Sequence, residues 1–247
     1  MRTKDGDIEL LAMSRSQAYL WFQAVLGYAP VPAVLEWVLA EENVSALAVF
    51  CEADLRFRAA QEAAMLEVEA LRAHDDAGRE RASAAYARLF VGPEALPVRP
   101  WESSWRGSDE SLFQERTLEV RRAYFAEGYV CSGYPHVADD HIAIELDFMA
   151  SLGVRMVEAL GRPDALEARR LVHSSHSFLC GHAMAWMPDY AEACSTLPAS
   201  YGLYVRVVQL LKEFLRLDET ALVELGDALE ARQGERAYGQ GDGCTKS

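Results

Sequence analysis

The chain has 247 residues, 51% of them hydrophobic, and 38 acidic against 24 basic residues give it a formal charge of −14. That length and apolar content support one good-sized domain, or two small ones, with a buried core, and exclude a disordered chain. The charge argues against nucleic acid and anionic lipid as main partners, since both need their phosphates neutralised by Lys and Arg; it suits a basic peptide or cationic ligand, or serves simply to keep the protein soluble.

Residues 15–28, "RSQAYLWFQAVLGY", are apolar on nearly every turn and stop before Pro30. Pro32 suits the first turn of a second helix, "PAVLEWVLAEE". A long helix follows from about Ser45 to His74, with Leu47, Phe50, Phe57, Met65, Val68 and Leu71 on its apolar side. "RERASAAYARLFVG" is a fourth helix, closing at Gly92. Then come the breakers: "GPEALPVRPWESSWRGS" holds Pro93, Pro97, Pro100, Trp101 and Trp105. Ser108 is placed to cap the next helix, which runs to about Gly128.

A second loop, "YVCSGYPHVA", leads into "DDHIAIELDFM", where Asp139 or Asp140 can cap a helix. Ile142, Leu146, Met149, Leu152, Met156 and Leu160 share one face of that helix, and Gly161 and Pro163 end it. Another helix spans 164–186 and meets Pro188, which must kink or restart it. Two last helices, "SYGLYVRVVQLLKEFLRL" and "ETALVELGDALEARQ", precede a Gly-rich tail. Period-two alternation is scarce. The expectation is an all-α, bundle-like domain of about nine or ten helices over residues 1–233, with a flexible tail over 234–247.

Five scattered cysteines (Cys51, Cys131, Cys180, Cys194, Cys244) form no CxxC pair and read as reduced thiols of a cytoplasmic protein. The charged start "MRTKDGDIEL" gives no signal peptide, and the lack of an apolar run of about 18 residues gives no membrane span.

"DDHIAIELDFM" raises a choice between chemistry and architecture. His141 and Glu145 are four apart, share a helix face and could hold a metal, with His173, His176 and His182 as further ligands. A small helical metal-dependent hydrolase on these residues is the alternative reading, which metal analysis of the purified protein would separate. Against it, the relevant helices lack the Glu-x-x-His pairs of a binuclear bundle site, and there is no HExxH, phosphate loop or nucleophile elbow. A helix start that favours carboxylates through its dipole explains Asp139 and Asp140 without catalysis. The Trp-bearing loop reads either as a segment pinned to the core or as an apolar wall for a peptide. His182 and Trp186, also four apart, read as core packing or as another such wall.

Together "YARLFVGPEALPVRPWESSW", "ADDHIAIELDFMAS" and "HSFLCGHAMAWMPDYAEAC" resemble the signature blocks of the TorD/DmsD family of redox-enzyme maturation chaperones, related to NarJ. The blocks stand in family order across most of the chain, although Val137 and Ala138 replace the Glu-Pro that often precedes Asp-Asp-His. The resemblance implies an all-α protein with no enzyme activity and no cofactor of its own, monomeric or domain-swapped. It implies binding of the twin-arginine leader and apo form of a molybdopterin oxidoreductase of the DMSO/TMAO reductase class, holding export until the cofactor is inserted. The positions carried over for peptide binding are Gly92, Leu96, Trp101, Asp140, His141, Glu145, His182 and Trp186. On this reading Asp140 accepts a guanidinium, while Leu96 and Trp101 cover the apolar part of the leader.

Overall fold

Apolar residues at helical spacing dominate the chain, and the computed structural model is accordingly all-α; it describes residues 5–73, 76–92, 95–106, 110–131, 138–162 and 165–241. In chain order the α-helices are α1 (Asp5–Gly27), α2 (Pro32–Val38), α3 (Glu41–Ala53), α4 (Leu55–Ala73) and α5 (Asp76–Tyr86). They continue with α6 (Glu110–Ala126), α7 (Ile142–Leu160), α8 (Ala165–Phe178), α9 (Met184–Cys194) and α10 (Gly202–Gly241). Five-residue π-helical turns follow α5 (Ala87–Val91) and join α8 to α9 (Leu179–Ala183). Among the described residues there is no β-strand, only one isolated antiparallel bridge between Trp101 and His141. Ser108, Pro163 and residues 132–137 of the second loop lie outside the described residues.

Several boundaries differ from the sequence expectation: α1 starts at Asp5 instead of residue 15, α2 ends at Val38, α3 starts at Glu41, and further differences lie in the elements that follow. The long helix from Ser45 is two helices, because Asp54 is extended and its Oδ1 accepts the N–H groups of Arg56 (2.7 Å) and Phe57 (3.1 Å), capping α4. Pro188 neither breaks nor restarts its helix: α9 runs through it. The carbonyl its ring would strike belongs to Met184, whose ψ of −18° departs from the helical ideal of about −42°. The final pair of helices is one continuous α10. That helix runs to Gly241, past the expected start of the tail, and residues 242–247 lie outside the described residues.

The core forms where α1 lies along α7, with α10 packed across α1, α4, α8 and α9. α1 and α7 approach so closely that a Cβ on Gly153 would lie 2.9 Å from Ser16 Cβ. Tyr19, Phe22 and Phe50 surround Phe214 at centroid distances of 5.0, 5.3 and 5.1 Å. Beside them sits a fully buried ion pair: Arg15 donates to both oxygens of Asp218 (2.5 and 3.1 Å), and Tyr19 Oη donates to Oδ2 (2.6 Å). Removing one member strands the other charge in the core. Asp218→Ala is therefore expected to cost about 3–5 kcal/mol of stability, measured from the urea midpoint at constant m.

Candidate peptide-binding site

Two segments distant in sequence meet at the start of α7. Pro97 and Pro100 hold the first one extended. Ile142 N donates to Pro100 O (2.9 Å) and Glu102 N donates to Asp140 O (3.0 Å), which sets Trp101 opposite His141. Asp140, fully buried, clamps the joint: its Oδ2 accepts the Ser103 N–H (2.9 Å) and its Oδ1 accepts the Thr117 hydroxyl (3.2 Å). Asp139 accepts from Arg121 (2.6 Å), and its carbonyl accepts from Tyr124 Oη (2.9 Å). The expected guanidinium acceptor, Asp140, thus has both oxygens engaged inside the protein.

The cap expected from Asp139 or Asp140 is instead His141, whose Nδ1 accepts the Ala143 N–H (3.2 Å). This requires a neutral ring, and burial pushes its pKa down from 6.5 to about 4. Trp101 and Phe90 meet the imidazole edge-to-face, with centroids at 5.6 and 6.4 Å. One turn along α7, Glu145 is fully buried and accepts from Trp186 Nε1, 3.2 Å from each oxygen. Burial, then the charges of Glu102 and Asp140, push its carboxyl well above the usual range, against the Trp186 bond and Arg106, so that it is held as the neutral acid. Glu102, also fully buried, pairs with Arg106 and lies 2.9 Å from His182 Nδ1. Arg106 also donates to Gly181 O (2.6 Å), and His182 stacks on Phe178 at 4.7 Å.

Gly92 ends the first π-turn at φ 87° and ψ −169°, a conformation essentially reserved for glycine, and its N–H donates to Ala87 O (2.9 Å). It borders a cleft of about 390 Å³ whose walls include Ala84, Ala87, Arg88, Ala95 and Pro97. Leu96 lies between two of these wall residues and, like Trp101, is half-buried.

Six of the eight expected positions thus join one contact network: Trp101, Asp140, His141, Glu145, His182 and Trp186. Gly92 lines the cleft, and Leu96 lies in sequence between its wall residues Ala95 and Pro97. Trp186 is entirely inside the core. Sequence reasoning missed Glu102, Arg106, Ser103, Thr117 and Arg121 as the partners that hold the network, and the four-residue spacing of Glu102 and Arg106 was the one available signal. The metal-hydrolase constellation does not assemble. His141 caps a helix, Glu145 binds Trp186 and His182 binds Glu102, while His176 lies close to Cys180 instead.

Two outcomes follow from the buried titratable groups. Between about pH 6.5 and 4 the unfolded chain takes up a proton that native His141 refuses, so this residue makes stability fall as pH drops through that window. Glu145 acts in the opposite sense, because native protein keeps a proton that the unfolded chain loses above about 4.5. His141→Asn keeps a cap acceptor but removes the titration, so urea midpoints at pH 5 and 7 should differ less in the acid-destabilised direction than in wild type. Glu145→Gln, a neutral isostere, removes this titration, so its urea midpoint should rise relative to wild type between pH 5 and 7, whereas Glu145→Ala should be about 1–3 kcal/mol less stable than Glu145→Gln by stranding the Trp186 donor and opening a cavity.

Residues 53–192, from the end of α3 into α9, match the family described as nitrate reductase delta subunit. Chaperone protein TorD of Vibrio parahaemolyticus serotype O3:K6 (strain RIMD 2210633) is 25% identical over 217 residues, covering 88% of this chain and 98% of that protein. Chaperone protein TorD of Aeromonas salmonicida (strain A449) is 33% identical over 146 residues, covering 58% and 63% respectively. That of Photobacterium profundum is 26% identical over 156 residues, covering 63% and 70%. The matched region contains both π-turns, the Trp-bearing loop and the start of α7, the parts from which the network above is built. The chain belongs to the nitrate reductase delta subunit family of TorD-type redox-enzyme maturation chaperones, and it is a chaperone, not an enzyme.

Proposed function

We propose that this protein is a system-specific cytoplasmic chaperone for a molybdenum-cofactor oxidoreductase of the DMSO/TMAO reductase class. It binds the client's twin-arginine leader and apo form, assists cofactor insertion and prevents premature export. The observation that carries this reading is a half-exposed tryptophan, Trp101, fixed by backbone pairing to His141 at a joint that also holds the buried carboxylates of Glu102 and Asp140.

A twin-arginine leader joins two guanidinium groups to an apolar segment, and each part has a counterpart here. Leu96, Trp101 and the cleft beside Gly92 offer apolar surface on a stiff, proline-held segment, so little ordering entropy is lost when a peptide docks. Glu102 offers the carboxylate. Its partners Arg106 and His182 keep 25% and 15% of their side chains exposed, so an incoming arginine can take the place of Arg106. The charge of −14 draws a basic segment toward the protein. Asp140, His141, Glu145 and Trp186 act beneath this surface by fixing its shape. No helix among the described residues is long and apolar enough to cross a membrane, which fits a partner met before export.

The test is a titration of a fluorescent twin-arginine leader peptide, and of the same peptide with Lys-Lys in place of Arg-Arg. Wild type, Trp101→Ala and Asp140→Ala are compared after circular dichroism confirms folding. Trp101→Ala should bind the leader about tenfold or more weakly, Asp140→Ala should weaken it by loosening the loop, and the Lys-Lys peptide should bind less well than the original. Unchanged affinity in both variants rejects the site.

A further inference from the structure

The second π-turn has two sides. Gly181 and His182 face Glu102 and Arg106, while Cys180 points toward α10. On that other side Cys180 Sγ lies 3.7 Å from His176 Nε2 and 3.9 Å from Glu219 Oε1. The ligand atoms of all three residues lie within 4.8 Å of one another. From these distances we infer that His176, Cys180 and Glu219 form a binding site for a divalent metal ion of the zinc class.

The spacing fits the ion. With Zn–S of about 2.3 Å and Zn–N and Zn–O of about 2.0–2.2 Å, tetrahedral geometry sets ligand atoms about 3.3–3.6 Å apart. The two separations from Cys180 exceed this by a few tenths of an ångström, which small side-chain rotations close. The chemistry selects the class. One thiolate, one imidazole and one carboxylate suit zinc and its neighbours, whereas calcium and magnesium demand a shell of oxygens. As hydrogen bonds these contacts are weak, because a thiol is a poor donor and a poor acceptor. They therefore give little reason, without an ion, for three such groups to converge from α8, the π-turn and α10.

Access is open. Cys180 is exposed, while His176 and Glu219 are half-buried and better fixed. The fourth position faces water or a ligand from a partner. His176 also lines the neighbouring cleft of about 590 Å³ between α8 and α10, together with His173, Leu222 and Asp227. On binding, the Cys180 thiol gives its proton to solvent and its sulfur bonds the ion; no electron is transferred. The bound ion ties the π-turn to α10. It carries no catalytic role, and the inference stands independently of the peptide-binding reading.

The experiment uses untagged full-length protein freed of metal. Zn2+ is titrated in competition with a chromophoric chelator, and Co2+ is substituted for absorption spectroscopy. The expected result is one equivalent bound, with a thiolate-to-cobalt charge-transfer band. Cys180→Ser should abolish that band and weaken zinc affinity at least tenfold, and Glu219→Gln should weaken it by a smaller factor. Cys131→Ser and Cys244→Ser should match wild type. Cys180 is exposed, so its variant should fold, and equal thermal midpoints in chelator check this. Zinc affinity unchanged in Cys180→Ser, or a cobalt band that disappears with Cys131 or Cys244 instead, overturns the site.

Discussion

Asp140 is a carboxylate taken wholly out of water, with no cation among the described residues bonded to its oxygens, and the arrangement around it explains most of the site. Such a group is tolerable only when hydrogen bonds replace its hydration. Here one comes from the Ser103 backbone and one from the Thr117 hydroxyl, while its own carbonyl accepts from Glu102. These bonds unite three parts of the chain: the proline-rich segment, α6 and the start of α7. Once they form, Trp101 is opposite His141, Glu102 is directed inward, and α7 begins with a neutral imidazole as its cap. Moving the aspartate would displace all of these together.

Burying so many acids in one place brings its own electrostatics. Glu102, Asp140 and Glu145 are all fully buried, and the charges of the first two raise the proton affinity of the third. The protein resolves this with one guanidinium, one imidazole and one retained proton: Arg106 and His182 serve Glu102, and Glu145 keeps its hydrogen. Buried like charges cannot all ionise at this range. The acidic character of the sequence here is consequently much reduced at the surface. What remains accessible beside them is the half-buried Trp101 and Leu96, with the partly exposed side chains of Arg106 and His182.

Much of this was legible from residues alone. Three- and four-residue spacing marked the α7 face, and Ile142, Leu146, Met149, Leu152 and Met156 are buried along it as expected. The break at Gly92 was also readable, because glycine followed by proline can scarcely continue a helix. The family blocks identified residues that converge in space. Other features left no trace in periodicity. A π-turn inserts one residue into an apolar pattern that already tolerates spacings of three and four, so "ARLFV" and "LCGHA" read as ordinary helix. Asp54 looks like any exposed acid on a helix until its carboxylate is seen capping α4. Histidine is an uncommon cap, so periodicity gives His141 no such role, and only burial reveals that it stays neutral. Tertiary pairing such as Glu102 with His182, 80 residues apart, cannot be read from local sequence.

The pairing of Arg15 with Asp218 joins residues 203 apart along the chain. A ribosome adding about 5–20 residues per second needs roughly 10–40 s to deliver the second after the first. Through that interval α1 has emerged with a guanidinium destined for the interior and no counterion to meet it, and its aromatic face lacks Phe214. The centre of the fold therefore cannot close until α10 has been made.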